Sequence, residues 1–368
     1  MKLVIFGLTI SSSWGNGHAT IWRGLCRALA ERKHRIVFFE RDVPYYALHR
    51  DFHELPGGRL ILYSDWAEAV PEASLHLSDA DAAVVTSYCP DGVAAAHLVA
   101  ESRALKVFYD LDTPVTLEQL ESGRPVSYIG PDGLRTFDLV LSYTGGQALA
   151  ELRHCLGARR AVPLYGGVDP VLHRPVPMIE RYRADLSYIG TYAEDRQGKL
   201  EALFLEPARR RPQWKFLIAG AKYPPTFQWL DNIFFVHHVA PPEHPALYSS
   251  ARLTLNVTRQ AMARMGYCPS GRLFEAAACG TPILSDRWEG MERFFEPNRE
   301  ILLADDSEDA LEAMALPAQE LRRIAQRARE RALEEHSLAR RAQELESLLC
   351  GAQNDPSKAS LSTWLAGS

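Results

Sequence analysis

The sequence alternates short, continuously apolar segments with segments of helical periodicity, and this alternation dominates the chain. Residues 2–9 form the first apolar run, and in residues 19–31 the apolar side chains then recur three and four positions apart. Strands that are apolar on both faces are typical of parallel sheets covered by helices on each side. The pattern therefore predicts an α/β protein assembled from βαβ units.

The alternation restarts in the second half of the chain, after a turn-rich connector at residues 161–170. A fresh strand is predicted at residues 186–190, and the charged segment at residues 308–349 is predicted to be helical. With 368 residues, the chain is long enough for two or three domains. We therefore expect an N-terminal α/β domain, a C-terminal α/β domain, a further helix and a flexible polar tail, at residues 1–168, 169–335, 336–350 and 351–368 respectively.

Charge and hydropathy argue against several classes of protein. The 41 basic residues are outnumbered by 46 acidic ones, and the formal net charge of -5 disfavours a protein that binds nucleic acid mainly through its phosphates. No stretch approaches the roughly 20 apolar residues of a membrane-spanning helix. The first apolar run is too short for a signal peptide and lacks a cleavage site, so a cytoplasmic location is expected.

Gly15 and Gly17 lie in a loop that separates the first predicted strand from the first predicted helix. Backbone amides at the start of a helix bind phosphates or sugars, and glycine lets the ligand approach closely. A dinucleotide-binding loop would carry a third glycine where this chain has Thr20, although Glu40 stands where a ribose-binding acid is expected. A phosphate or sugar site, a dinucleotide site and a simple tight turn all stay open.

Asp110 and Asp112 follow another apolar strand. Two carboxylates at this spacing can bind a divalent metal, and they can equally contact sugar hydroxyls at the edge of a sheet. Asp112 also precedes Thr113 and Pro114, which is the pattern of a capped helix start. Metal binding, contact with a sugar or an acceptor, and capping are the three interpretations of this pair.

The most specific motif runs through residues 256–286 and places a loop of small residues directly before a helix. Ser270 and Gly271 can offer backbone amides to a diphosphate, and Arg272 can pair with its charge. Glu275, one turn further along, presents two oxygens that can accept hydrogen bonds from both hydroxyls of a ribose. The motif therefore predicts a site for a nucleoside diphosphate.

At residues 256–286, and at Trp288-Glu289-Gly290-Met291 soon after them, the sequence resembles the GT-B glycosyltransferases. More narrowly, it is similar to the CgeB-type (spore-maturation-protein-like) group, which is related to the family 4 retaining glycosyltransferases. The resemblance extends over nearly the whole chain, with weaker matches at residues 110–114 and 163–169. It implies two Rossmann-like domains that face a cleft, and a late helix that crosses back to the first domain.

The resemblance also implies a function, the transfer of a sugar from a nucleotide-diphosphate donor to an unknown acceptor, with retention of configuration and without a bound metal. It implies no cofactor besides the nucleotide-sugar co-substrate, which is a UDP-sugar in the first place and otherwise a GDP- or dTDP-sugar. The acceptor is a small molecule, a glycan, a lipid or a protein. A nucleotide-sugar epimerase, a dinucleotide-dependent oxidoreductase and a non-catalytic sugar-binding protein are the alternatives.

Residue roles follow from the resemblance position by position. Glu275 matches the ribose-binding glutamate, whereas Tyr267 stands where related retaining enzymes carry a glutamate that holds the donor sugar. Asp112 falls beside the reacting sugar, and either Asp112 or His18 is expected to act as the base. The donor sugar is expected to lie near Asn256, Tyr267 and Asp110. The donor diphosphate is expected to contact Gly15, Gly17, Arg196, Arg259, Ser270, Gly271 and Arg272.

Overall fold

The computed structural model describes residues 1–354 and contains two parallel sheets, one in each half of the chain. The strands of the first sheet are β1 (Lys2–Gly7), β2 (Arg35–Arg41), β3 (Gly58–Tyr63), β4 (Ala82–Thr86), β5 (Leu105–Asp110), β6 (Leu139–Ser142) and β7 (Ala161–Pro163). Their order is β3-β2-β1-β4-β5-β6-β7, and every neighbouring pair is parallel.

Helices cover both faces of this sheet, as the sequence predicts. They are α1 (Gly17–Glu31), α2 (Pro44–Ala47), α3 (Trp66–Leu77), α4 (Gly92–Glu101), α5 (Thr113–Glu121) and α6 (Gln147–Leu156). Successive side chains of β1 point to opposite faces, where Ile5 joins one buried hydrophobic cluster and Phe6 joins the other. Burial on both faces explains why β1 reads as a continuous apolar run.

The second sheet repeats the same design with six strands. They are β8 (Leu186–Ile189), β9 (Phe216–Gly220), β10 (Ile233–His237), β11 (Thr254–Asn256), β12 (Ile283–Asp286) and β13 (Leu302–Ala304), in the parallel order β10-β9-β8-β11-β12-β13. The helices are α7 (Gln197–Leu200), α8 (Glu206–Arg210), α9 (His244–Ser250), α10 (Gln260–Met265), α11 (Gly271–Ala278), α12 (Ser307–Ala315), α13 (Ala318–Glu335) and α14 (Leu338–Gln353). The predicted α/β class with two parallel sheets is confirmed.

Two strands of the first sheet are not apparent from the periodicity. β3 is an edge strand that is only half buried, so it lacks a continuous apolar run. β7 lies within the predicted connector at residues 161–170, where Ala161 and Val162 pair with β6 and the turn-rich sequence follows only afterwards. Short edge strands carry a weak sequence signal because only one neighbour and one face constrain them.

The charged segment at residues 308–349 is helical as predicted, but it is divided into α12, α13 and α14. α14 leaves the second sheet and packs on the first domain, where Leu338 contacts Gly24 of α1 and Leu345 and Leu349 join the cluster around Ile5. α14 continues to Gln353, beyond the expected end at residue 350, and residues 355–368 of the predicted tail lie outside the described residues. None of the helices within residues 1–354 combines the length and the apolar character needed to cross a membrane.

In both sheets the strand order reverses beside the first strand, at β1 and at β8. Open α/β sheets bind ligands at such reversal points, beyond the carboxyl ends of the strands. The two halves meet where Gly145 donates its backbone N–H to the carbonyl of Tyr267 at 3.0 Å and Thr144 donates to Cys268 Sγ at 3.1 Å. We therefore expect a ligand site at the loops that follow β1, β5, β8 and β11.

Candidate active site

The loop between β1 and α1 has the geometry of an anion-binding helix start. Gly15 has a positive φ of 61°, a conformation that favours glycine. Asn16 caps α1 by accepting the N–H of His18 at 3.1 Å. A side chain at Gly17 would meet no atom within 4 Å, so the first-turn backbone faces open space. The predicted positions of Gly15 and Gly17 thus suit a ligand that approaches the backbone closely.

Glu40 is not available to a ribose, contrary to what a dinucleotide site would require. Its carboxylate is buried and accepts hydrogen bonds from Thr9 Oγ1 at 2.6 Å and from the backbone N–H groups of Ile10 and Ser11 at 2.8 and 2.9 Å. The hydroxyl of Ser11 adds a fourth bond at 2.5 Å. Glu40 therefore shapes the loop after β1, and the dinucleotide interpretation loses its acidic residue.

His18 and Asp112 face each other beyond the carboxyl ends of β1 and β5. His18 Nε2 lies 3.3 Å from Asp112 Oδ2, and both side chains keep some exposure to solvent. Asp112 occupies the cap position of α5, as the capping interpretation expects, but its side chain makes no capping hydrogen bond and is left to face His18. The ring of Tyr88 lies beside His18, with the ring centroids 5.6 Å apart. The pair is arranged as a carboxylate and an imidazole that can share a proton.

Asp110 points into the protein and not toward a ligand. It is 0% exposed, and its Oδ1 accepts the N–H of Asp112 at 3.1 Å and the hydroxyl of Thr116 at 3.2 Å. Burial raises the pKa of Asp110 to about 6, and the neighbouring charge of Asp112 acts in the same direction. Within residues 1–354, Asp110 and Asp112 belong to no cluster of three metal-ligating side chains. The two carboxylates thus have different surroundings: Asp110 is buried within the protein, whereas Asp112 faces His18.

Arg196 and Arg272 converge on the carboxyl end of β8. Arg196 Nη1 donates to the Tyr188 hydroxyl at 3.1 Å, and Arg272 Nη1 donates to the Ile189 carbonyl at 2.7 Å. Arg272 Nε also donates to Ser270 Oγ at 3.1 Å. No carboxylate within the described part of the chain forms an ion pair with either guanidinium. Two guanidinium groups without an acidic partner at one strand end favour an anionic ligand.

Arg259 differs from these two arginines because its charge is already paired. Its Nε lies 3.2 Å from Asp195 Oδ2, and the same oxygen accepts the backbone N–H of Gln260 at 3.1 Å. The Arg259 side chain is 43% exposed. The structure therefore brings Arg196 and Arg272 together at β8 and leaves Arg259 in an ion pair at the start of α10.

The start of α11 lies beside these arginines. Ser270 is its cap residue and makes no side-chain capping bond, so the amides of the first turn stay available to a ligand. A side chain at Gly271 would lie 4.0 Å from Glu275 Oε1 and 4.0 Å from the Tyr143 hydroxyl. The absence of a side chain at this position thus keeps the approach to the Glu275 carboxylate open.

Glu275 is surrounded by two histidines and a tyrosine that sequence reasoning did not identify. His244 Nδ1 lies 3.6 Å from Oε2, His173 Nε2 lies 4.0 Å from Oε1, and the Tyr248 hydroxyl donates to Oε2 at 3.3 Å. Burial by itself would raise the pKa of Glu275, but the two imidazoles and the tyrosine outweigh it and lower the pKa to about 2. Glu275 is therefore an ionised acceptor at any pH near neutrality.

Tyr267 and Asn256 both make contacts with other residues of the protein. Tyr267 has a positive φ of 46°, donates its N–H to the Glu289 carbonyl at 2.7 Å, and packs its ring on Gly146 and Gly290. Tyr267 therefore lies where the two halves meet, in contact with Gly146 of the first half and Gly290 of the second. Asn256 is buried at the end of β11 and donates to Ser285 Oγ at 3.0 Å.

Trp14 brings the glycine loop of the first half against the second half. Its ring centroid lies 4.1 Å from that of His49, in the same half, and 4.3 Å from that of His238, which follows β10. The loop after β1 and the loop after β10 are therefore in direct contact. The loop that carries Gly15 and Gly17 thus reaches the second half of the chain through Trp14.

Three comparisons relate this arrangement to known proteins. Residues 196–347 match a family model described as glycosyl transferase-like. No curated protein sequence matches the chain significantly.

Solved structures match over almost the whole chain. Sucrose-phosphate synthase from Thermosynechococcus elongatus has 16% identity and a TM-score of 0.68, with 95% of this chain and 98% of that chain covered. HepE from Anabaena, solved with UDP-glucose, has 13% identity and a TM-score of 0.67, with 95% and 100% covered. An α-glucosyltransferase solved with UDP-glucose and DNA has 12% identity and a TM-score of 0.65, with 95% and 99% covered. Residues 196–347 are therefore similar to a glycosyl transferase-like family, and 95% of the chain shares the GT-B-like fold of these structures, with one parallel sheet in each half.

Proposed function

We propose that the protein transfers a sugar from a UDP-sugar to an acceptor, with the donor held by residues 169–335 and the acceptor by residues 1–168. The observation that carries the proposal is the pair Arg196 and Arg272, without carboxylate partners among the described residues, beside the ionised Glu275. Two cations and a carboxylate at one helix start match the two ends of a nucleoside diphosphate. The diphosphate needs positive charge, and the ribose needs hydrogen-bond acceptors.

The arginines act on the leaving group. When the bond between the sugar and the diphosphate breaks, negative charge develops on the phosphate oxygens. Arg196, Arg272 and the first-turn amides of α11 are already oriented by the protein, so they stabilise that charge without the reorganisation that water requires. Fixed guanidinium charge can replace the cation of a metal-dependent enzyme, which supports a reaction that needs no bound metal.

Glu275 holds the ribose. Its two oxygens can accept hydrogen bonds from both ribose hydroxyls, and the open position at Gly271 lets the nucleotide approach. Because the pKa of Glu275 is about 2, the carboxylate stays an acceptor across the physiological range. Uridine is the preferred nucleoside because HepE and the α-glucosyltransferase were solved with UDP-glucose. GDP- and dTDP-sugars are the alternative donors.

His18 and Asp112 serve the acceptor. With Nε2 and Oδ2 3.3 Å apart, the pair can take the proton that the acceptor hydroxyl loses as it attacks the sugar. We propose retention of configuration and membership of the CgeB-type group on the motif at residues 256–286. The α-glucosyltransferase was solved with DNA, but the formal net charge of -5 of this chain does not favour a nucleic-acid acceptor.

The donor assignment is tested by ligand-dependent thermal stability. UDP, GDP, dTDP, CMP and their sugars are added to the protein, and a ligand at 100 times its Kd adds about 2.7 kcal/mol of stability. We expect UDP and a UDP-sugar to raise Tm most, in the presence of EDTA as well as in its absence. A rise that requires Mn²⁺ would contradict metal-independent binding, and the absence of any rise would contradict the donor site.

Turnover distinguishes the alternatives to transfer. A UDP-sugar that binds is incubated with and without acceptor mixtures, and the products are separated by chromatography. Release of UDP that depends on an acceptor supports transfer. Conversion of the donor sugar without an acceptor would instead identify an epimerase, and binding without any turnover would identify a sugar-binding protein.

A further inference from the structure

His173, His244 and Glu275 present three metal-ligating groups to one another. Their ligand atoms all lie within 4.8 Å of one another, with His244 Nδ1 at 3.6 Å and His173 Nε2 at 4.0 Å from the carboxylate oxygens. These separations are too long for hydrogen bonds. They are close to the edge of a tetrahedron around Zn²⁺, which is about 3.4 Å for ligand bonds of about 2.1 Å.

His244 is oriented as metal-ligating histidines usually are. Its Nε2 lies 3.1 Å from the Val239 carbonyl and donates to it, so Nδ1 faces Glu275. A backbone carbonyl behind the ring nitrogen opposite the metal is the common second partner of such a histidine. Either a proton on Nδ1 or a metal ion between Nδ1 and Glu275 makes this contact attractive.

The ring nitrogens of His173, Nδ1 and Nε2, are buried without hydrogen-bond partners among the described residues. The His173 side chain is 1% exposed. A buried polar group without a partner costs about 1–3 kcal/mol. A ligand between His173 Nε2 and Glu275 Oε1 removes that cost, and a metal cation is attracted to both atoms.

We infer that His173 Nε2, His244 Nδ1 and the Glu275 carboxylate form a binding site for one divalent transition-metal ion of the Zn²⁺ class. Two imidazole nitrogens and one carboxylate oxygen form a ligand set found in zinc sites, and they favour Zn²⁺ over Mg²⁺ or Ca²⁺, which prefer oxygen ligands. Glu275 keeps 15% side-chain exposure, which leaves a fourth position for water. The ion takes no part in the transfer reaction.

The site has a consequence that rests on the proposed function. Glu275 cannot give the same oxygens to a metal ion and to the ribose hydroxyls. Zn²⁺ and the nucleotide therefore exclude each other, and Zn²⁺ inhibits the enzyme by competing with the donor.

Cobalt titration tests the metal site directly, without any assay of activity. Metal-free protein is titrated with Co²⁺, whose visible absorption is strong in tetrahedral sites, and Zn²⁺ is then added to displace it. We expect one Co²⁺ per chain. His173→Gln and His244→Gln should each weaken binding more than about 100-fold, since loss of an outer-shell partner alone costs about 10–100-fold.

Matched controls separate loss of a ligand from loss of the fold. His97→Gln removes an exposed histidine on α4 and should leave Co²⁺ binding unchanged. Thermal unfolding of each variant shows whether it is folded. If His173→Gln does not fold, His244→Gln alone tests the metal site. Wild-type protein that binds no Co²⁺, or variants that bind it as the wild type does, would overturn the metal site.

Calorimetry then separates the metal site from the donor site. UDP is titrated into the protein with and without Zn²⁺, and the same pair of titrations in His173→Gln corrects for Zn²⁺ bound by the diphosphate itself. Weaker UDP binding with Zn²⁺ in the wild type alone supports competition at Glu275. Zn²⁺ binding that leaves UDP affinity unchanged would keep the metal site and contradict the placement of the ribose on Glu275.

Discussion

Asp110 and Glu275 are buried carboxyl groups in the two halves of the molecule, and their pKa values move in opposite directions. Burial raises the pKa of Asp110 to about 6. Burial acts on Glu275 in the same sense, but its neighbours reverse the outcome and lower the pKa to about 2. The carboxyl group of the first half is thus close to protonation near neutrality, and that of the second half stays an anion.

The difference lies in what each carboxylate faces. Asp110 accepts hydrogen bonds from a backbone N–H and a hydroxyl on one oxygen, has no hydrogen-bond partner on the other among the described residues, and lies near the negative Asp112. Glu275 faces His173, His244 and the Tyr248 hydroxyl. Burial alone therefore does not decide whether a carboxylate can serve a ligand. Charge in the immediate surroundings decides it, and the following predictions test this contrast.

The largest effect is expected at the acceptor side. Asp112→Asn removes the carboxylate that faces His18 Nε2, so the proposed base can no longer take a proton. We expect kcat to fall by about 10²–10⁴-fold while the donor KM stays nearly constant. Steady-state UDP release with a UDP-sugar measures both, and His97→Gln serves as the unaffected control. A rise in the donor KM at constant kcat would instead show that Asp112 binds the donor.

The next effect is expected at Glu275. Glu275→Gln keeps the size of the side chain but removes its charge, and each hydrogen bond to a charged group is worth about 1.5–3 kcal/mol. UDP should therefore bind about 100-fold more weakly, as measured by calorimetry in EDTA. Glu312→Gln, at an exposed position of α12, should bind UDP like the wild type. Equal affinity in both variants would place the ribose elsewhere.

Arg272→Met tests the cationic end of the same site. The substitution keeps an apolar stem but removes the guanidinium, so UDP should bind about 10- to 100-fold more weakly. Uridine, which has no phosphates, should bind the variant as it binds the wild type. Arg322→Met on the outer face of α13 is the matched control. If uridine lost affinity in parallel with UDP, Arg272 would support the fold and not the diphosphate.

Asp110→Asn should change how stability depends on pH. The folded pKa of about 6 lies above the unfolded value of about 3.9, so the folded state holds the extra proton between these values and stability falls as pH rises from about 4 to about 6. At about 1.4 kcal/mol per pKa unit, the wild type loses about 2–3 kcal/mol that the variant does not lose. Urea unfolding at several pH values measures the difference. Parallel pH profiles would mean that Asp110 is ionised when the protein folds.

The smallest effect is expected at Tyr267. Its contacts are made by its backbone and by its ring on Gly146 and Gly290, and its hydroxyl has no hydrogen-bond partner within the described residues. Tyr267→Phe should therefore change the affinity for a UDP-sugar by less than about twofold. Calorimetry with UDP and with UDP-glucose shows whether the sugar contributes. Loss of affinity for UDP-glucose alone would show that the hydroxyl holds the sugar.

The sequence by itself determined the class of fold, because the evidence for it is local. A strand buried on both faces is a continuous apolar run, as in residues 2–9, and a helix shows its period within a few turns. The approach of Arg272 and Glu275 is equally local, since both lie in the first turns of α11. Arg196 was predicted from the resemblance to the GT-B glycosyltransferases, as a basic residue that follows the first strand of the second half.

Only the tertiary structure decided the state of each group, because charge acts through space between residues far apart in the chain. His173 precedes Glu275 by 102 positions, and only the folded chain brings the loop of His173 and helix α9 against α11. The same holds for Glu40, which binds the loop after β1, and for Arg259, which is neutralised by Asp195. The sequence shows which residue types are present and which lie close together along the chain. The protonation of each group, its ion pairs and the cluster of His173, His244 and Glu275 depended on the fold.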